Sequence, residues 1–334
     1  MQKLLVSIVI ATYNRARLLG QAIQSIVDQT YRPLETVVVD DGSTDETRNM
    51  VLAFERCWSH RDGLFLHYLA QDNGGPATAR NRGIQASRGE YLLFLDDDDL
   101  MAGDAVDHLV TALRGRSGAA ISYGSYANAS EEGVPDQAIQ QPKPIRSQQE
   151  LLDNMIRGTW FVPIHGHLFT RQAVERIGEW NPLLPSQEDD EFILRAMLQD
   201  ASFVPAPQAR VFYRQHVGIR RSHPGIAGSW DERGQTQRLQ ADLAIRELAF
   251  RELGQRGQLA QFQDAFAGWY RRLLARYRPL LDKVDLSGND LIQWVCKSAH
   301  TATDRGNEPA QSVKPHRLGS LLPWTPDGPA PTGT

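Results

Sequence analysis

The amino-acid sequence predicts an α/β protein, with a mostly parallel sheet flanked by helices and a C-terminal α-helical extension behind it. Apolar runs such as residues 4–11 and 36–39 are nearly unbroken, as strands buried on both faces of a parallel sheet are. Segments with helical apolar spacing alternate with them. Strand after strand breaks off into a polar, glycine-rich or acidic turn, at 12–15, 40–43, 73–76 and 96–99. Right-handed crossovers bring such turns to one edge of a sheet, where open α/β sheets bind their ligands.

Taken in order, the first strand stops at Thr12, Tyr13, Asn14 and Arg15. A helix follows, carried by Leu18, Leu19, Ala22, Ile23, Ile26 and Val27. Pro33 ends the connection, and strand 36–39 runs out into Asp40 and Asp41. Ser43 and Glu46 stand at capping-box spacing, which predicts a helix opening there. After a third strand at 64–69, the loop 71–76 leads into a helix over 77–84, whose Gly74-Gly75 entry suits the approach of an anion to backbone amides. Strand 91–95 then runs straight into Asp96, Asp97, Asp98 and Asp99. Four adjacent carboxylates repel one another unless a positive group sits among them. A divalent cation, Mg2+ or Mn2+, is the simplest such group, because hard cations take carboxylate oxygen. A solvated acidic turn is the plainer alternative.

A strand is expected at 119–123, and residues 131–144, with three prolines, read as a loop. Ser147 and Glu150 form another capping box ahead of Leu151, Leu152, Met155 and Ile156. Aromatic and imidazole groups crowd 158–169. Pyranose faces stack on rings and sugar hydroxyls need donors and acceptors, so Trp160 and His165 are candidates for binding a sugar. A buried strand with a core tryptophan competes with that reading, and a zinc pair of His165 with His167 lacks a third ligand nearby. Residues 186–191 supply a second acidic cluster at a helix start, which the helix dipole favours by itself. Residues 218–225 read as a basic lid. From about residue 231, two arginine-rich amphipathic helices are expected to pack on the domain, dimerise, or lie on a membrane. The boundaries are 1–225 for the α/β domain (halves 1–118 and 119–225), 226–298 for the helical extension and 299–334 for a disordered tail.

Composition narrows the classes. With 36 basic and 40 acidic side chains, a net charge of −4 argues against a general nucleic-acid binder. Two cysteines, Cys57 and Cys296, build neither a structural zinc site nor a disulfide framework, so a reducing cytoplasm is the expected compartment. No apolar run reaches the roughly 20 residues of a bilayer span. Peripheral contact with the inner membrane face and homodimerisation stay open. Neither a dinucleotide fingerprint nor a Walker lysine motif is present.

Together, SIVIATYNR (7–15), VVDDGSTD (38–45), NGGPATARN (73–81) and FLDDDD (94–99) resemble the family 2 glycosyltransferases of the GT-A fold, in the family's order and at compatible spacing. The likeness covers about residues 4–217. It implies a metal-dependent, inverting transfer from a nucleotide sugar, usually a UDP-sugar, with dTDP or GDP donors in some members. The acceptor would be a hydroxyl of a glycan, a lipid-linked sugar or a small molecule, with Trp160 and His165 as the acceptor-site candidates. Carried over by position, Thr12, Tyr13 and Arg15 resemble residues flanking the nucleoside, and Asp41 resembles the acid that accepts a hydrogen bond from the base. Arg80 would meet the diphosphate or the base. Asp98 is expected as the direct metal ligand, with Asp96 and Asp97 on ribose hydroxyls or metal-bound water and Asp99 capping the next helix. Asp189 matches the general base, with Glu188 as runner-up, and His216, in the Tyr-Arg-x-His segment, would complete the metal shell. A sugar-nucleotide nucleotidyltransferase and a catalytically silent nucleotide-sugar-binding module are the competing classes. The first would want a basic triphosphate loop where Thr12 to Arg15 stand, and the second would need neither acidic cluster.

Overall fold

The computed structural model describes residues 3–58, 63–116, 118, 120–141, 145–215, 232–281, 286 and 288–303. Contacts divide the chain into two compact units, Met1–Ile245 and Arg246–Thr334. The first opens with β1 (Val6–Thr12), α1 (Ala16–Val27), β2 (Leu34–Asp40), α2 (Thr47–Trp58), β3 (Leu64–Ala70), α3 (Pro76–Ala86) and β4 (Tyr91–Phe94). It continues with β5 (Leu100–Met101), α4 (Ala105–Leu113), β6 (Ala120–Ala129), β7 (Pro135–Gln140), α5 (Gln148–Arg157), β8 (His167–Thr170), α6 (Arg171–Ile177), α7 (Glu188–Leu198) and β9 (Ser202–Arg214).

Among the described residues the strands form one mixed sheet, in the order β3-β2-β1-β4-β8-β6-β9-β5, with β7 beside β6. β1 pairs in parallel with β2 on one side and with β4 on the other. The chain direction across the sheet therefore switches between β1 and β4, which leaves a crevice beyond their carboxyl ends. In that register Thr12 lies opposite Asp40, and the acid run leaves β4 on the other side of β1, within reach of Thr12.

The unbroken apolar runs have their reason in two covered faces. Ile8 and Ile10 of β1 pack with Leu19, Ile23 and Ile26 of α1 and with Val106 and Leu109 of α4. On the opposite face Ala79 of α3 packs against Val37 and Val39 of β2. Here α3 comes so close that a Cβ added to Gly83 would lie 2.2 Å from Val9 Cγ1. Gly83→Ala is therefore expected to cost about 1–3 kcal/mol by overpacking, read as a lower urea midpoint at unchanged m-value; an unshifted midpoint would mean that α3 is free to move off β1.

Local expectations met mixed outcomes. Ser147 caps α5, its hydroxyl accepting from Glu150 N, while Glu150 Oε2 accepts from Arg146 N. The box expected at Ser43 and Glu46 does not form. Asp45 Oδ1 takes the Thr47 N–H and hydroxyl instead, and Ser43 Oγ accepts from Asn14 N. The loop expected over 131–144 contains the exposed strand β7, whose backbone pairs with β6 although its side chains bury nothing. Residues 158–169 are not one strand: a single 3-10 turn, Ile164–Gly166, precedes the short β8. Asp99 does not cap α4, where Asp104 holds the N-cap position.

The second unit holds the end of α8 (Glu232–Gln255), α9 (Gln263–Leu281) and α10 (Asp290–Thr303). Phe266 packs edge to face on both Phe250 and Trp294, which are tilted against each other, and Trp269, Leu273 and Leu291 are also buried. α10 runs on to Thr303, into the stretch assigned to the tail, because Leu291, Ile292 and Val295 give it an apolar face. His216, the lid at 218–225 and the remainder of the tail lie outside the described residues.

Candidate active site

The turn after β1 is bound to the turns on either side of it. Asn14, with φ of 53°, accepts from Thr44 N through Oδ1 at 2.7 Å, and Asp45 Oδ2 accepts from Ala16 N at the start of α1. Asparagine tolerates this left-handed backbone better than most residues. On the other side, Thr12 Oγ1 donates to Asp97 Oδ2 at 2.8 Å, and Arg15 Nη1 donates to Asp97 Oδ1 at 2.9 Å and Asp98 Oδ2 at 2.7 Å. Asp41 lies buried at the next turn. Its Oδ1 accepts from Gln71 Nε2 and Gly74 N, and its Oδ2 from Gly75 N, so this carboxylate shapes the glycine loop that opens α3. A carboxylate has about four acceptor positions, so Asp41 keeps capacity for one more donor. Tyr13, in the turn after β1, is exposed at 38%.

The four acids divide by direction. Asp97 and Asp99 turn inward and are buried, while Asp96 and Asp98 keep some contact with solvent. Asp99 Oδ1 accepts from the Arg214 backbone N–H at 2.7 Å, tying β9 to the acid run. Its other oxygen lies 3.3 Å from His165 Nδ1 without a satisfactory hydrogen bond, and both atoms are buried orphans. Burial drives the His165 imidazolium down to about 3, so at neutral pH the ring is neutral and offers a lone pair. Burial raises Asp96; Asp98 is the next cause after Arg80, which opposes it. Burial, followed by Asp98, pushes Asp97 to about 6, against Arg15, and holds Asp99 well above the usual carboxylate range. Among the described residues, Arg15 and Arg80 pair with the cluster but do not offset its burial and mutual repulsion. Asp96, Asp99 and His165 each offer an atom within 4.8 Å of the others. Orphaned oxygen and imidazole nitrogen at that separation, in an under-neutralised acid cluster, fit a divalent cation.

The second acidic cluster reaches the first through one side chain. Arg80, on α3 and 7% exposed, donates from Nη2 to Asp96 Oδ1 at 2.8 Å and from Nη1 to Glu188 Oε1 at 2.9 Å. Glu188 opens α7, so Asp189 stands next in its first turn. Burial, then Asp190, Glu188 and Asp96, push the Asp189 carboxyl up to about 8, with Arg80 opposing. Asp189 keeps partial access to solvent all the same. The residue before this turn, Gln187, has φ of 60°, a backbone strain of the sort that gathers at working sites.

A family model described as Glycosyl transferase family 2 matches residues 7–178, just over half of the chain. The chain belongs to glycosyl transferase family 2. An uncharacterized glycosyltransferase of Rickettsia felis is 34% identical over 196 residues, which is 55% of this chain and 30% of that protein, so the chain spans less than a third of that relative. Among solved structures, S. aureus TarS superposes with a TM-score of 0.61 at 19% identity, over 87% of this chain and 49% of TarS. Its 1–349 form solved with UDP-GlcNAc gives 0.53 at 18%, over 89% and 92%. The mannosyltransferase PcManGT of Pyrobaculum calidifontis, solved with GDP-Man and Mn2+, gives 0.52 at 18%, over 89% and 80%. At such identities these likenesses speak for the fold, which is GT-A.

Within this family 2 domain, Thr12, Arg15, Asp97 and Asp98 form one set of contacts and Arg80, Asp96 and Glu188 a second, the two joined by the backbone of the acid run, and Asp189 adjoins the second. Trp160 stands elsewhere, edge-on to Tyr123 and Phe203. His165 is fully buried and faces Asp99, with Tyr213 stacked 6.4 Å away, so it adjoins the acid run. Sequence reasoning missed three participants. Asn14 carried a signal, since asparagine in a turn tolerates positive φ. Asp99 as a partner of His165 carried none, nor did Trp180, whose ring lies 4.6 Å beneath the Arg80 guanidinium.

Proposed function

We propose that the chain is a metal-dependent, inverting glycosyltransferase that moves a sugar from a nucleoside-diphosphate sugar, with UDP as the favoured nucleotide, to a hydroxyl of a glycan, lipid-linked or small-molecule acceptor. The observation that carries this reading is the Arg80 bridge, which puts an acid suited to the donor and an acid next to a candidate base on one guanidinium. An inverting displacement needs a base on the face of the sugar opposite the leaving diphosphate.

In this reading Tyr13 and Asp41 receive the nucleobase, and a carboxylate favours a base that presents an N–H, as uracil, thymine and guanine do and cytosine does not. The nucleotides held by TarS and PcManGT, UDP-GlcNAc and GDP-Man, are of that kind. Asp98 takes the cation, with Asp96 and Asp97 beside it on ribose hydroxyls, and Asp99 and His165 form the buried back wall. Mn2+ or Mg2+, when bound, would neutralise the charge that builds on the leaving diphosphate. Arg15, at the start of α1, holds Asp97 and Asp98 together by donating to both. Asp189 accepts the proton of the acceptor hydroxyl as its oxygen attacks C1, and Trp160 is retained as an acceptor-side ring.

A panel of nucleotide sugars with Mn2+ tests this directly. Expected is release of UDP from a UDP-sugar, lost on chelation with EDTA, with the anomeric configuration of the product inverted by NMR. Release of pyrophosphate would mean a nucleotidyltransferase, and binding without turnover a silent module.

A further inference from the structure

The family likeness gave Arg80 to the diphosphate or the nucleobase, but its contacts suit a different role. We propose that Arg80 is a positioning residue that keys the first turn of α7, and with it Asp189, to the acid run after β4. The proposal rests on the reading of Asp189 as the general base. Both terminal nitrogens of Arg80 are committed inside the protein, one to Asp96 and one to Glu188. The guanidinium lies over Trp180 at 4.6 Å, and Trp180 in turn stacks on Phe192 of α7, with centroids 4.3 Å apart and planes 5° from parallel. The neighbouring Asn81 grips the Trp180 backbone both ways, Oδ1 accepting from Trp180 N at 2.7 Å and Nδ2 donating to Trp180 O at 2.9 Å. Consecutive residues of α3 thus hold α7 by its first turn and, through the stacked rings, by the next turn along.

A planar fork suits this better than a flexible ammonium, because two carboxylates in different directions fix its orientation. Among the described residues, the groups that act most strongly on Asp189 are Asp190 and Glu188 from α7, Asp96 from the acid run, and Arg80 from α3. Arg80 is the one cation in that set. Its loss would leave Asp189 among like charges and free the turn that aims it. Whatever engages Asp96 on the donor side shares a guanidinium with the helix that carries the base.

Arg80→Met, Arg80→Lys, Glu188→Gln and Asp189→Asn in the full chain test this, after thermal unfolding has shown each to be folded. Ligand-free protein carrying 13C-carboxyl aspartate is titrated by NMR, with the Asp189 signal assigned by its absence from Asp189→Asn. Arg80→Met is expected to move the Asp189 midpoint upward by about one pH unit, Glu188→Gln to move it downward, and Arg80→Lys, which keeps the charge, to leave it near wild type. With the donor that turns over in the panel, Arg80→Met should lower kcat about 100-fold, the cost of a misplaced group, with donor KM nearly constant and partial rescue in Arg80→Lys. A tenfold rise in donor KM at nearly constant kcat would make Arg80 a donor contact and overturn the proposal, as would an unmoved Asp189 midpoint in folded Arg80→Met. If Arg80→Met does not fold, Glu188→Gln breaks the link from its other end, and an unmoved midpoint there is equally fatal. Turnover surviving in Asp189→Asn would sink the base assignment instead, while the midpoint shifts would still report on Arg80.

Discussion

Asp189→Asn is expected to lower kcat by about 10²–10⁴-fold, the range that a positioned general base supplies, while UDP and Mn2+ still bind. The amide keeps the size of the side chain and its oxygen, which accepts from Asp190 N at 3.0 Å, but it cannot take a proton. The same carboxyl predicts a pH dependence. Its value in the folded chain is raised to about 8, first by burial and then by Asp190. A base works deprotonated, so kcat/KM should be low at pH 6, climb through pH 8 and level off above it. An acid limb near pH 4, or a profile unchanged in Asp189→Asn, would remove Asp189 from the role.

The second large effect is expected at Asp98. Asp98→Ala should reduce transfer by about 10³-fold, as the loss of a group that stabilises developing charge does, and should abolish the stimulation of nucleotide binding by Mn2+. Arg15 would keep Asp97 as a partner, so the fold should hold, which circular dichroism checks. Near-wild-type turnover would end the assignment. If His165→Ala rather than Asp98→Ala removed the metal response, the ion would sit with Asp96, Asp99 and His165, whose ligand atoms already lie within 4.8 Å of one another.

Much of the first unit was legible because its signals are local. A strand covered on both faces is apolar along most of its length, so residues 6–10, with Ser7 the exception, and 37–39 declare themselves. Ser147 and Glu150 cap α5 as their spacing says, since a cap needs only a neighbouring amide. The same reasoning failed at Ser43 because Asn14, from a turn 29 residues away, claims the hydroxyl through its backbone N–H and leaves the capping to Asp45. β7 escaped notice because an exposed edge strand is held by backbone hydrogen bonds and leaves no apolar alternation to read.

The sequence by itself determined which chemical groups are available and on which strand ends they sit: an acid run after β4, an acidic first turn on α7, and a glycine loop before α3. It pointed to the family through the stretches at 7–15, 38–45, 73–81 and 94–99. Only the tertiary structure decided how the acids are shared out: Asp97 and Asp98 to Arg15, Asp96 and Glu188 to Arg80, and Asp99 to His165 and the Arg214 backbone. The reason is electrostatic. Side chains packed this tightly pair by proximity and burial, and proximity among residues up to 115 positions apart is set by strand order, which no local pattern encodes.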